Sequence, residues 1–221
     1  MKIDQLIRSK RRTIALIIDQ QGRLIVRAPL RAATQQIEQF VEQKAAWIQS
    51  KQAQARTTTA RLAPKSYADG EAFFYLGQTY RLAVVEQATV PLRLADRFYL
   101  SRPAQAQAER AFTAWYKNQA KQVIPARVSA LADQYGFEPR QVKITQANTR
   151  WGSCSANGNL NFSFRLVMAP LEVIDYVVVH ELVHLRVKNH SRRFWAQVEA
   201  ILPNYKQQVR WLKANGYQLR L

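Results

Sequence analysis

Two features of the 221-residue sequence predict an α+β fold. Short runs of β-branched and aromatic residues, bounded by glycine or proline, predict strands in several separate places. Between and after these runs lie longer stretches in which apolar residues recur at helical spacing. Hydrophobic residues make up 48% of the chain, which supplies a core for one large domain or for one domain with an appendage.

The first 66 residues predict a β-hairpin followed by a helix. Residues 13–19 and 23–28 read as strands joined at Gln20, Gln21 and Gly22. Thr34 is a suitable cap for a helix that would bury apolar side chains at helical spacing. Those side chains are Ile37, Phe40, Val41, Trp47 and Ile48. Residues 52–66 are polar and basic, which predicts a linker or loop. We therefore expect a basic N-terminal region, 1–66, and a second domain, 67–221, or one continuous domain.

The middle of the chain predicts a second hairpin and a long helix. Strands at residues 73–76 and 79–85 flank Gly77 and Gln78, a pair typical of a tight turn, and a short strand follows near 97–100. Pro103 opens a segment rich in good helix formers that reaches about residue 135. We expect Pro125 to kink or restart this helix, and Gly136 to end it.

The last 80 or so residues predict a strand pair followed by three helices. A strand at 141–146 precedes the turn pair Asn157–Gly158, and residues 159–166 then alternate polar and apolar side chains. In that strand the outward side chains would be Asn159, Asn161, Ser163 and Arg165. Pro170, Ser191 and Asn204 are placed to open the three helices.

The first of these helices carries a pattern typical of a catalytic metal site. His180 and His184 are four residues apart, so both imidazoles lie on one helix face and can bind one zinc ion. Glu181 is adjacent and can reach a water on that ion as a base. His190 can return as a third ligand if the helix stops, and Asn189 is the residue expected to stop it. Three ligands, an open position and a base predict a zinc-activated hydrolase with one ion per chain.

Other interpretations of the histidines are weaker. Two histidines at this spacing could simply be core residues, but that leaves the adjacent glutamate without a purpose. A closed structural zinc site would need Cys154 or a carboxylate as its fourth ligand. Glu199 is the reserve third ligand if His190 points away. Asp175 could orient a ligand histidine or serve as a first-turn helix charge.

Composition restricts the partners and the compartment. A net charge of +18 and a pI near 10.5 suggest a polyanionic partner such as nucleic acid, or a solvated basic surface. Cys154 is the only cysteine, which excludes an internal disulfide. The apolar run 14–18 is too short for membrane insertion. We expect a cytoplasmic protein, and the sequence leaves its oligomeric state open.

Several segments together resemble the YgjP-like metallopeptidase family, which is related to the SprT-like and WLM proteases. They are Arg150-Trp151-Gly152-Ser153-Cys154-Ser155, the strand at 159–166, the run 175–185, Asn189-His190-Ser191 and Phe194-Trp195. The resemblance implies a zincin-like fold, with a small mixed sheet packed on the active-site helix. It implies zinc held by His180, His184 and His190, with Glu181 as base. It also implies that the strand before this helix is an edge to which an extended or unfolded peptide adds.

The substrate stays open between three hypotheses. For a peptidase, substrate contacts would come from Asn159, Asn161 and Ser163 on the strand, and Arg150, Arg165 or Tyr205 would hold the oxyanion. The same metal site could instead hydrolyse a nucleotide or another phosphoanhydride, because metal hydroxide also attacks phosphorus and cations attract phosphate. A third hypothesis is a nucleic-acid-associated module with weak protease activity, which depends on net charge alone.

Overall fold

The computed structural model describes residues 2–19, 22–60 and 64–221, and for residues 54 and 56–60 it describes the backbone alone. These residues form two compact units, Met1–Pro64 and Lys65–Leu221, each with its own hydrophobic core. Helices and small mixed sheets alternate along the chain, which confirms the α+β class. That the chain folds as separate domains divided after residue 66 stays a prediction. None of the described helices has the length and apolar character needed to cross a membrane.

A three-stranded sheet and two helices make up the N-terminal unit. The strands are β1 (Gln5–Ser9), β2 (Ala15–Ile18) and β3 (Leu24–Pro29), in the order β1-β3-β2, with β3 parallel to β1 and antiparallel to β2. The helices are α1 (Thr34–Gln43) and α2 (Ala45–Ala60). Alternate residues of β3 and apolar residues of both helices form the core, namely Leu24, Val26, Ala28, Ile37, Val41 and Ile48.

Three expectations for this unit need correction or fall outside the described residues. Strand β1 is absent from the prediction, and the single predicted helix is interrupted at Lys44. The predicted linker at 52–66 is wrong as far as Ala60, because α2 continues through it. Its Gln, Ala, Lys and Arg residues are good helix formers, so a polar composition here does not indicate a loop. The predicted turn residues Gln20 and Gln21 lie outside the described residues.

The second unit begins with a four-stranded sheet and a long helix. Strands β4 (Ala72–Tyr75), β5 (Gln78–Val85), β6 (Leu92–Leu94) and β7 (Phe98–Ser101) are arranged in the order β4-β5-β7-β6. After a 3₁₀ turn, Arg102–Gln107, helix α3 runs over Ala108–Tyr135 and continues through Pro125 without restarting. Gly136 ends it in the left-handed conformation, as expected. The rings of Phe73 and Phe112 stack at 4.1 Å and join the sheet to α3.

A second three-stranded sheet faces the histidine-bearing helix. It contains β8 (Gln141–Thr145), β9 (Gly152–Cys154) and β10 (Asn159–Ser163), in the order β8-β10-β9. Strand β10 is parallel to β8 and antiparallel to β9. The helices α4 (Leu171–Arg186), α5 (Arg192–Ile201) and α6 (Tyr205–Asn215) follow. The openings predicted at Pro170, Ser191 and Asn204 match their starts.

The strand expected at 159–166 differs from the prediction in length and in position. It ends at Ser163, and Phe164–Met168 form a 3₁₀ turn, so Ser163 and Phe164 are both buried. It is also the middle strand of its sheet, and therefore the prediction that it offers a free edge is wrong. The Ser163 N–H, once a possible peptide donor, donates to the Trp151 carbonyl at 2.9 Å. The edge strand nearer to the helix is β9.

The β4–β5 hairpin turn supports the start of α4. Its central residues are Leu76 and Gly77, one position earlier than predicted, and both have positive φ, as in a type I′ turn. The Leu76 N–H donates to the Val167 carbonyl at 2.8 Å. A Cβ atom on Gly77 would lie 2.8–3.0 Å from atoms of Pro170, the residue that precedes α4.

We predict that Gly77→Ala destabilises the protein more than Gly70→Ala does. Gly70 has a φ of +79° and Gly77 a φ of +78°, and a residue with a side chain loses about 1–2 kcal/mol of stability in this conformation. A Cβ at Gly70 meets open space, whereas one at Gly77 overlaps Pro170 and should add about 1–3 kcal/mol. Denaturant unfolding measures the difference. Equal losses for the two variants would show that the turn does not press on Pro170.

Candidate active site

Helix α4 holds His180 and His184 rigidly because most of its other side chains are buried. Nine residues of the helix lie in the core, including Val178, Val179 and Val183. The helix ends at Arg186, since Val187 is extended with φ −129°, so the stop expected at Asn189 lies three residues late. Asn189 has another role: its Oδ1 accepts the Ser191 N–H at 3.2 Å in the turn that follows His190.

The three histidines converge on one point. The His190 Nε2 atom lies 3.0 Å from His180 Nε2 and 3.1 Å from His184 Nε2. His184 Nδ1 lies 3.0 Å from the Val187 carbonyl, which can only accept a hydrogen bond. The proton of His184 is therefore on Nδ1, and its Nε2 lone pair points into the cluster. One ligand atom from each of the three residues lies within 4.8 Å of the others, so the set could hold a metal ion.

The environment keeps the first two imidazoles in the form that binds metals. Burial lowers the pKa of His180 to about 4, and the neighbouring His184 and His190 act in the same direction. Burial also lowers the pKa of His184, against the effect of its hydrogen bond to Val187. Both rings are thus neutral at pH 7. Phe194, fully buried on α5, packs against all three rings at centroid distances of 4.5–4.9 Å.

Glu181 lies under the edge strand β9. Its side chain is only 5% exposed, and this burial raises its pKa to about 7. The Arg150 charge and a hydrogen bond from the Cys154 main chain both act to lower it. The raised pKa is the value expected of a carboxyl group poised to exchange protons near neutral pH.

Gly152 leaves the space that the Glu181 carboxylate occupies. A Cβ atom on Gly152 would lie 2.6 Å from Glu181 Oε1 and 2.7 Å from its Cγ, so any side chain there would displace the carboxylate. From the sequence, this glycine stands out only as part of the Arg150–Ser155 motif. The signal that could have found it is the Asn157–Gly158 turn, because a hairpin requires a strand before the turn as well as after it.

The outer edge of β9 is free among the described strands. Trp151 accepts the Ser163 N–H and Ser155 donates to the Asn159 carbonyl, both at 2.9 Å. Main-chain groups alternate in direction along a strand, so those of Gly152 and Cys154 point away from β10. The Cys154 N–H already bonds Glu181. The Gly152 N–H and the carbonyls of Gly152 and Cys154 remain for an added strand.

Comparison with known proteins identifies the family. A model of the YgjP-like metallopeptidase domain matches residues 12–215. The chain belongs to the YgjP-like metallopeptidase family. The crystal structure of the metallopeptidase zymogen of Pyrococcus abyssi abylysin is 22% identical, over 41% of this chain and 93% of that one, with a TM-score of 0.38. That similarity is too low to support an argument about the site. No curated protein sequence matches.

The remaining predicted substrate residues of this YgjP-like domain are dispersed. Arg150, Asn161 and Ser163 line one pocket beside β9. The Arg165 guanidinium lies over the Phe164 ring at 4.5 Å and contacts the Gln146 carbonyl at 3.4 Å. Asn159 begins β10, where its N–H is bound by Ser155 Oγ.

The sixth predicted substrate residue, Tyr205, belongs to an aromatic stack beside the histidines. Its ring is parallel to that of Trp195 at 5.4 Å and to that of Tyr176 at 6.4 Å. Trp195 in turn stacks on His190 at 5.8 Å. The Tyr205 side chain is therefore joined to a candidate metal ligand through one intervening ring.

Two acidic residues have other partners than the histidines. Asp175 forms a two-pronged ion pair with Arg127 at 2.6 and 2.7 Å, so the expectation that it could orient a ligand histidine is not met. Glu199, the reserve ligand, pairs with Lys206 at 3.1 Å. Among the described residues, the candidate metal ligands are therefore the three histidines alone.

We predict one divalent cation per chain, bound by the three histidines. Loss of an outer-sphere partner alone typically costs 10–100-fold in metal affinity, so His190→Ala should cost more than about 100-fold. Competition with a chromophoric chelator measures the affinity. Glu199→Ala is the matched control and should bind as tightly as the unmodified protein. A loss of affinity in Glu199→Ala with none in His190→Ala would make Glu199, and not His190, the third ligand.

Proposed function

We propose that this YgjP-like protein is a zinc-dependent peptidase that cleaves extended or unfolded segments. The observation that carries the proposal is the position of Glu181. Its carboxylate lies beneath a strand edge with free main-chain groups, and its neighbour on α4 belongs to a cluster of three convergent imidazoles. A ligand set, a base and a template for an extended chain thus meet in one place.

Three convergent imidazoles fit zinc, which prefers nitrogen ligands and in catalytic sites commonly takes three from the protein. His180, His184 and His190 would hold the ion. When bound, zinc supplies a water of lowered pKa and polarises the scissile carbonyl. The Val187 carbonyl keeps His184 in the required tautomer, and Phe194 keeps the three rings in place.

The chain's own residues would bind the peptide and move the proton. An extended substrate pairs with the Gly152 N–H and with the carbonyls of Gly152 and Cys154, whatever its side chains. The Glu181 carboxylate accepts a proton from the attacking water and delivers it to the leaving nitrogen. We assign stabilisation of the oxyanion to Tyr205, whose ring is fixed by Trp195 and Tyr176.

The two alternatives have less support. A phosphoanhydride hydrolase would use the same metal but depend on cations, and Arg165 is already engaged by Phe164 and Gln146. The nucleic-acid hypothesis has no support beyond the net charge of +18. A panel of nucleotides assayed beside unfolded peptides separates these possibilities from the peptidase.

Glu181→Gln should separate zinc binding from catalysis. Glutamine keeps the shape of the side chain but cannot accept the proton, so kcat should fall about 100-fold or more while zinc content is unchanged. Gly152→Ala keeps the carboxylate but displaces it, and should also lower kcat with zinc retained. Peptide cleavage and metal analysis on the same samples test both variants. Cleavage by Glu181→Gln at the unmodified rate would remove Glu181 as the base.

A scan of N-methylated peptides should reveal pairing with β9. In a strand added antiparallel to β9, the residues opposite Gly152 and Cys154 direct their N–H groups to the β9 carbonyls, and the residue between them does not. Methylation at either of two positions, two residues apart, should therefore lower kcat/KM at least about fivefold, the value of one hydrogen bond. The intermediate position should tolerate methylation. An even effect along the peptide would exclude strand addition.

A further inference from the structure

A polar pocket lies on the outer face of the β8-β10-β9 sheet, and the proposed mechanism assigns it no role. Its volume is about 240 Å³, and its lining includes Thr145, Ala147, Arg150, Ser153, Asn161 and Ser163. Ser153 and Asn161 are cross-strand partners. The adjacent pair, Gly152 and Phe162, faces the core and Glu181. This outer-face pocket and the proposed base therefore lie on opposite sides of the same edge strand.

Some hydrogen-bonding groups of the outer-face pocket already have a partner within the protein, and others do not. Ser163 Oγ donates to the Ala147 carbonyl at 2.8 Å, and Thr145 Oγ1 donates to the Phe162 carbonyl at 3.3 Å. Asn161 Nδ2 donates to Ser153 Oγ at 3.4 Å, which leaves the Ser153 hydroxyl proton free. The Arg150 guanidinium has no hydrogen bond or ion pair with any described residue, and none of the lining residues is acidic.

The groups without a partner are mostly hydrogen-bond donors, and one of them, the Arg150 guanidinium, carries a full positive charge. Arg150 offers a forked pair of N–H groups that matches a carboxylate, and Ser153 adds a hydroxyl. The carbonyl oxygen of Asn161 is the acceptor that remains. A neutral amide could use the same donors and this acceptor, but only a carboxylate gains the charge-assisted hydrogen bond to Arg150. At about 30 Å³ per water, the volume equals that of roughly eight waters, which is enough for one acidic side chain.

The position of Ser153 determines which part of a substrate would enter. Residues opposite one another on paired strands share a face, so the substrate residue beside Ser153 directs its side chain to the outer face. It is also the residue between the two whose N–H groups bond β9. A single substrate position is thus aligned with the outer-face pocket.

We propose that the outer-face pocket is a specificity subsite for a glutamate or aspartate side chain of the peptide, and this rests on the proposed function. Arg150 binds the carboxylate and Ser153 donates a second hydrogen bond. The enzyme then cleaves extended segments of any sequence, but selects those with an acidic residue at one position.

The test compares glutamate with glutamine, placed in turn at each position around the scissile bond of an unstructured peptide. For the zinc-loaded protein, kcat/KM should favour glutamate about fivefold, at one position only. That position should lie between the two that are sensitive to N-methylation. Long-range attraction by the basic chain would instead favour glutamate at every position. A preference at every position, or at none, overturns the subsite while the peptidase stands.

Substitutions at Arg150 test whether this residue causes the preference for glutamate over glutamine. The ratio of kcat/KM for glutamate to that for glutamine should approach one in Arg150→Gln. It should be unchanged in Arg140→Gln, which removes the same charge from an exposed residue outside the pocket. Arg150→Glu should prefer lysine over glutamine at the same position, a reversal that misfolding cannot produce. A glutamate preference that persists in Arg150→Gln overturns the assignment. Failure to cleave any peptide would overturn the peptidase and, with it, the subsite.

Discussion

The contact between the β9 backbone and the Glu181 carboxylate is the constraint on which the rest of the site depends. A carboxylate that is 5% exposed must be desolvated, and the Cys154 main-chain hydrogen bond offsets part of that cost. The contact is possible only because residue 152 has no side chain. One glycine thus brings a pairing edge and a proton acceptor within van der Waals distance.

Helix α4 is otherwise a core helix, and this is what makes the site rigid. Its first turn follows Pro170, which the Leu76–Gly77 turn contacts, and Asp175 ties the helix to α3 through Arg127. Valines fill most of its circumference, so the stripe that carries His180 and His184 has little freedom to rotate. Phe194 closes the cluster from α5. Ligand geometry is therefore set by the packing of apolar side chains.

Features set by residues close together in the sequence, such as helix ends, could be predicted. Features set by which strands pair with one another could not. Gly136 marks the end of α3 and Pro170 the start of α4, as predicted, and the spacing of the histidines predicted their convergence. Pro103, predicted to open the long helix, lies instead in a 3₁₀ turn, and α3 begins at Ala108. Strand β9 has only three residues, Gly, Ser and Cys, none of which favours strands, so it escaped detection. Whether β10 is central or at an edge is decided by partners remote in sequence, which alternation does not reveal.

The prediction that strand β10 continues past Ser163 is wrong for a similar reason. Phe164 and Leu166 continue the polar–apolar pattern, but the segment folds as a 3₁₀ turn that accepts a hydrogen bond from Leu76. A tertiary contact therefore overrides the local pattern there. In the N-terminal unit local propensity prevails instead, because residues 52–60 are polar but have a high helix propensity and form the end of α2.

The end of α4 has a consequence for metal binding. The carbonyl that fixes the His184 tautomer belongs to Val187, the first residue beyond the helix, and it is available because that residue is extended. If α4 were one turn longer, the Val187 carbonyl would point along the helix axis to a backbone N–H. His184 would then lose the partner that holds its proton on Nδ1. The length of the helix thus determines whether the Nε2 lone pair of His184 is available to a metal ion.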